Sequence, residues 1–200
     1  MMMNILKSLI YTIFILIVAC NNSEKTVEQA SDKEINMDTL AEGSAKDSSS
    51  TLSNLLIEPN QFYGIKLRDA FLELQKKYPA RLEKSIKKTG EGSFQIYKIN
   101  GEDGAHLANI YPDQKDEKLV GQIEIISANV KTIKGIKIGN TFQDLTMKEG
   151  DVEVHGSEIE GRTYASKDGI YYRLEMNHFS YDLDKSSIKS DVKIIEIVIR

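Results

Sequence analysis

Between residues 55 and 200 the apolar positions change period several times. Ile170, Tyr172, Leu174 and Met176 alternate with Tyr171, Arg173 and Glu175, the period of two that belongs to a half-buried strand. Asp168-Gly169 just before them is a hairpin signal, because glycine accepts the positive φ of a tight β-turn. Residues 161–166 supply the preceding strand. Asp103-Gly104 leads in the same way into Ala105 to Tyr111, after a strand over Phe94 to Ile99. Ahead of each strand group the period lengthens. Phe71, Leu74 and Tyr78 fall on one face of a helix that Pro79 stops, with Lys76 and Lys77 in its last turn, where the helix dipole favours cations. Phe142 to about Lys148 is a shorter helix ending near Gly150, and Asp69 and Asn140 stand at equivalent places as N-caps.

The same residues repeat. Gly64-Ile65-Lys66-Leu67 with Phe71, Glu73 and Leu74 matches Gly135-Ile136-Lys137-Ile138 with Phe142, Asp144 and Leu145, at a constant offset of 71. Each stretch ends in an aliphatic run, 122–126 and 194–198. Self-similarity in a fixed order predicts a duplicated domain over 55–200, with copies at about 55–128 and 129–200. The expected fold class is α+β: a tandem helix-plus-antiparallel-strands unit forming one sheet, with both helices packed on one face. The final run is apolar on both sides, Ile195, Ile197 and Ile199 against Ile194 and Val198. A central strand covered on both faces reads this way, and so does an interaction surface.

The N-terminus follows a different pattern. Lys7 and Ser8 precede an apolar run from Leu9 to Ala19, too short for the roughly 20 residues that cross a bilayer. A charged start, a short apolar middle and a small residue before the break predict a signal peptide over residues 1–19. Ile17-Val18-Ala19-Cys20 resembles the lipobox of bacterial lipoproteins, and Cys20 is the only cysteine. The resemblance implies a diacylglyceryl group on the Cys20 sulfur and cleavage before that residue. The alternative is a signal anchor with an incidental buried Cys20. Asn21 after the cysteine resembles sorted lipoproteins and favours the outer membrane, with surface display left open. From 20 to 54 the chain is rich in Ser, Glu, Asp and Lys with scattered apolar residues, the composition of a flexible tether. As a coil that length averages about 30–35 Å end to end and extends to about 100 Å.

Composition adds mainly exclusions. The chain has 40% hydrophobic residues, no Trp and a net charge of −4, which becomes −5 without Lys7. A mildly acidic chain without clustered Lys and Arg gives no reason to expect nucleic acid. No Gly-x-Ser-x-Gly elbow, phosphate-cradling loop or His-Glu-x-x-His is present. His106, His155 and His178 fall in different expected elements, without the close spacing of zinc ligands. Asp182-x-Asp184-x-Ser186 faintly resembles the start of a calcium loop but lacks its Gly and closing Glu. Asp113, Asp116 and Glu117 read as a similar acidic turn. Arg81, Lys84, Lys87 and Lys88 form a basic run, which suits a solvated face or an anionic partner. The expectation is no catalytic residue, no cofactor and no metal.

Gly135 to Leu145, the Tyr-rich strand after it and the ending Val192 to Arg200 look like the uncharacterised YfeY-type lipoproteins, a group associated with the envelope-stress regulon. The resemblance covers about residues 60–200 and brings no activity with it. The Gly135 to Leu145 turn also resembles, more loosely, tandem-repeat envelope modules such as the β-lactamase-inhibitor protein, which bind protein partners with a sheet face. Two functions are therefore expected. One is a non-catalytic, membrane-anchored protein-binding or scaffolding lipoprotein of the envelope. The other is a small-ligand binder or hydrolase with a cleft between the two copies, where His106 meets Tyr and carboxylate neighbours.

Overall fold

The protein is described by a computed structural model over residues 55–90 and 92–200. The expected signal peptide 1–19, the lipid-attachment residue Cys20 and the tether 20–54 lie outside the described residues. In chain order come β1 (Leu56–Glu58), β2 (Gln61–Phe62), β3 (Ile65–Lys66), α1 (Phe71–Lys77), β4 (Leu82–Thr89), β5 (Gly92–Asn100), β6 (His106–Pro112) and β7 (Val120–Ile125). Then follow β8 (Lys131–Thr132), α2 (Phe142–Glu149), β9 (Glu153–His155), β10 (Arg162–Lys167), β11 (Ile170–Asn177), a 3-10 turn (Lys185–Ser187) and β12 (Ile194–Ile199).

Eight strands form one sheet in the order β4-β5-β6-β7-β12-β11-β10-β9, and four short ones form a second sheet, β3-β2-β1-β8. Residues paired directly across a ladder share a face. One row therefore runs Leu82, Ile99, Ala108, Ile125, Ile197, Tyr172, Ala165 and Val154 across all eight strands of the large sheet. The next row runs Glu83, Lys98, Asn109, Glu124, Val198, Tyr171, Ser166 and Glu153 and points the other way. The first row faces the core, where it joins Ile57, Phe62 and Ile65 of the small sheet and Phe71, Leu74, Phe142 and Leu145 of the helices in one buried cluster. Phe71 stacks on Tyr97 of β5 with ring centroids 4.0 Å apart. The second row is almost wholly polar, and it forms the floor of the site described below.

The α+β expectation is overturned. The described part is mostly β, with twelve strands in two sheets and two helices of seven and eight residues. It is not a tandem of helix-plus-strand units in a single sheet with the helices as its covering layer. The helices stay short for local reasons. Tyr78 precedes Pro79 and has already left helical geometry as the C-cap of α1, and Gly150 closes α2 at φ 79°. Strands of two or three residues, such as β2, β3 and β8, are too short to show a period. The constant offset of 71 does correspond to matching turns. Gly64 and Gly135 have φ of 69° and 79°, and their carbonyls accept from Lys77 Nζ at 2.8 Å and Lys148 Nζ at 3.3 Å.

The expected N-caps are each one residue early. Thr141, not Asn140, caps α2 in a capping box with Asp144, and Ala70 precedes α1 with no side-chain cap. Asp69 and Asn140 instead accept from the backbone N–H of Lys66 and Lys137, closing the turn before each helix. The Asp168-Gly169 hairpin is as expected, with φ of 50° and 78°. β12 is a central strand between β7 and β11, but its register shifts at Ile195, which is 40% exposed, so Ile194, Ile197 and Ile199 join the core and Val198 stands on the opposite face.

Candidate functional site: a concave polar face on the large sheet

Strand alternation divides the basic run of residues 81–88. Lys84 and Lys88 follow the parity of the core row but lie exposed near the sheet edge, whereas Lys87 points over the opposite face. Its ammonium donates to both carboxylate oxygens of Glu124 on β7, at 2.6 and 2.8 Å, and to the Tyr111 hydroxyl at 2.7 Å. Strands β4 and β7 are three steps apart, about 14 Å in a flat sheet. The curl of the sheet and the reach of the lysine side chain close that gap.

Three groups converge on Glu124, which is only 8% exposed. Besides Lys87, Tyr111 donates its hydroxyl to Oε2 and Asn109 donates Nδ2 to the same oxygen, both at 2.8 Å. His106 Nε2 lies 3.0 Å from Asn109 Oδ1 and extends the chain of contacts. Burial raises the Glu124 carboxyl pKa, but hydrogen bonds from Asn109, Lys87 and Tyr111 outweigh it and hold the group below its ordinary value. For Lys87, burial favours the neutral amine, yet the bonds to Glu124 and Tyr111 prevail and raise its pKa. Burial, more than any neighbour, pushes the Tyr111 hydroxyl up to about 12. At neutral pH this knot therefore holds an ionised carboxylate, an ammonium and a protonated phenol. A carboxylate saturated by three donors is a poor base, and such a phenol is no activated nucleophile.

The curled face encloses an open cleft of about 1090 Å³. Lys87, Tyr111, Gln122 and Glu124 line one side, and Arg162, Arg173, Glu196 and Arg200 line the other. The loop after β6 forms its rim. Gly121 permits this approach, because a Cβ there would lie 2.5 Å from Asp113 Cα. Arg68 reaches the rim and pairs with Asp113 at 3.0 Å. On the far side Arg173 pairs with Glu196 at 3.3 Å, and Arg162 pairs with Glu160 at 2.9 Å. The Arg200 guanidinium lies 4.4 Å over the Tyr171 ring and 5.5 Å from that of Tyr164.

The other residues singled out in the sequence are used elsewhere. His155 stacks between Tyr164 and Tyr181, with centroids 5.6 and 5.3 Å away. His178 Nε2 meets the Asp182 carbonyl at 2.9 Å, and the Ser157 N–H donates to the His178 carbonyl. Residues 155–157 and 178–182 are thus brought together, away from His106. Asp184 accepts from Ser186 N and Oγ as the cap of the 3-10 turn. Asp113 accepts from the N–H groups of Lys115 and Asp116. Arg81 donates to the Tyr63 hydroxyl at 2.7 Å and covers the Tyr63 and Tyr78 rings. Among the described residues, no group of three or more His, Cys, Asp or Glu is gathered as metal ligands, and no helix is long and apolar enough to cross a membrane.

Sequence reasoning passed over Glu124, Tyr111, Asn109 and Arg200. The available signal was polar residues inside otherwise apolar strands: Asn109 amid Leu107, Ala108 and Ile110, and Glu124 between Ile123 and Ile125. A charge in such a run calls for a partner.

No protein-family model matches the chain, and no curated protein sequence matches it. Among solved structures, the crystal structure of the uncharacterized protein YfeY from Escherichia coli is similar, with 16% identity and a TM-score of 0.44, over 68% of this chain and 92% of that one.

Proposed function

We propose that this protein is a membrane-anchored bacterial lipoprotein, attached through Cys20, whose folded part is a non-catalytic binding or scaffolding module of the cell envelope. The anchor places it at the outer membrane, facing the periplasm or displayed on the surface. Its partners are the membrane, through the lipid, and an envelope protein held on the concave face of the large sheet. The lipobox-like junction at Ile17 to Cys20 supports the anchor. The observation that supports binding is the open cleft of about 1090 Å³ over a polar floor whose buried carboxylate is already saturated by Lys87, Tyr111 and Asn109. Such a floor presents shape and charge to a ligand without a base or nucleophile in reserve.

Photo-cross-linking in cells tests the reading. A photoreactive residue at Gln122, in the cleft, is expected to give one discrete adduct, and one at Met147 or Leu72, 75% and 64% exposed outside it, to give none. Adducts from Met147 or Leu72 but not from Gln122 would overturn the binding face. Labelling with fatty acid tests the anchor separately: the wild type is expected to incorporate it and Cys20→Ser to lose it. The cleft volume also favours a second reading, a small-ligand binder or hydrolase in the same place, since ligand pockets run to roughly 1,000 Å³. A low-molecular-weight adduct or turnover, in place of a protein adduct, would select it.

A further inference from the structure

The two sides of the cleft differ in how their cations are satisfied. Six cationic side chains line it (Arg68, Lys87, Lys115, Arg162, Arg173 and Arg200) against four carboxylates, Asp113, Glu117, Glu124 and Glu196. The side chains that line it thus carry an excess of two positive charges, in a chain whose side chains sum to −4. The cleft reverses the sign of the whole molecule, and walls of low dielectric concentrate such a field. Lys87, Arg68 and Arg173 are each committed to a carboxylate. Arg200 is not. Among the described residues no other residue's carboxylate pairs with it and no acceptor takes its side-chain N–H groups, while its Cζ lies over the Tyr171 ring at 4.4 Å. An arginine stacked on an aromatic ring is held in orientation with its edge donors turned outward, the fork that matches a carboxylate or phosphate in bidentate fashion.

We propose that Arg200, oriented by Tyr171 and Tyr164 and flanked by Arg173, is an oxyanion-binding subsite of the cleft. It takes the carboxylate or phosphate group of the ligand lying there. The proposal rests on the concave face being the binding surface, and it adds the chemistry that surface recognises. Arg173 contributes by its charge, and its 3.3 Å pair with Glu196 is partly exposed, so an incoming anion can reach it. Lys87 itself contributes no donor, because all three contacts of that ammonium are already made.

The test is a titration of the purified full chain in a neutral detergent, read by NMR of the arginine Nε–H groups. Inorganic phosphate and succinate are added separately at constant ionic strength, with chloride as the control. The Arg200 signal is expected to shift saturably with phosphate or succinate and not with chloride. The stronger of the two identifies which oxyanion the ligand carries. Arg200→Gln is expected to weaken binding about tenfold, the loss of one charge-assisted hydrogen bond. Arg68→Gln, at the paired rim, should change it less than twofold. Should Arg200→Gln fail to fold, Arg200→Lys keeps the charge, loses the fork and should fall between the two. An equal response to chloride, or unchanged affinity in the Arg200 variants, would overturn the subsite. If that happens while Gln122 still gives its cross-link, the binding face stands without the subsite. An anion response with no cross-link from Gln122 would leave the subsite and remove the protein partner.

Discussion

The two ends of the concave face treat their polar groups in opposite ways. At the β4–β7 end the buried polar side chains, Asn109 and Glu124, are both satisfied, and Lys87 crosses the curl of the sheet to complete the set. At the β10–β12 end the ion pair is longer, 3.3 Å between Arg173 and Glu196, and Arg200 rests on rings rather than on a carboxylate. Even beneath that end two buried groups, Thr163 Oγ1 and the Tyr172 hydroxyl, have no hydrogen-bond partner among the described residues. A saturated network rigidifies because each bond fixes the next, while unmet donors are capacity left for something else. The contrast assigns holding to one end and binding to the other.

Removing the knot's acceptor is the most damaging way to break that contrast. Glu124→Ala leaves Asn109, Tyr111 and Lys87 without their shared partner. It is expected to cost about 2–3 kcal/mol of unfolding free energy, since Lys87 stays partly hydrated. Glu196→Ala, at the other end, should cost less than about 1 kcal/mol. Equal losses in chemical denaturation would erase the distinction.

The pH dependence is the next largest effect. Glu124 is held below its ordinary pKa in the fold. Its contribution is present above the unfolded value, about 4.3, and is lost as pH falls through the lower folded value. Glu124→Gln is therefore expected to flatten the acid limb of the stability profile. An unchanged acid limb would mean that the knot contributes nothing there.

Two hydroxyls give a finer comparison. Tyr111→Phe removes a hydroxyl that accepts from Lys87 and donates to Glu124, and should cost about 1–2 kcal/mol. Tyr172→Phe removes one that is buried and unpartnered, and thermal denaturation should show no loss or a slight gain. A loss equal to that of Tyr111→Phe would show that Tyr172 has a partner after all.

These features were unequally legible in the sequence. The helices, the Asp168-Gly169 hairpin and the strand from Ile170 onward announce themselves because each is set by local period or turn chemistry. The small sheet does not, since β2 and β3 span two residues each. β4 reads as a basic run because it lies at a sheet edge, where only Leu82 of its eight residues is buried. The fold class is illegible for that reason: the strands that tip it toward β are either too short or too polar to look like strands. The knot was illegible for another reason. Lys87, Asn109, Tyr111 and Glu124 meet only once β4 to β7 have paired and curled, and no spacing along the chain encodes that meeting. What the sequence does carry is the anomaly, an ionisable Glu124 inside Ile123-Glu124-Ile125.

The most direct measurement is a map of backbone amide shifts across the large sheet while inorganic phosphate is added at constant ionic strength. The account predicts shifts concentrated at Tyr171 to Arg173 and Val198 to Arg200, with Asn109, Tyr111 and Glu124 unmoved. Shifts centred on Lys87 and Glu124 instead, or no shift on either end, would contradict it.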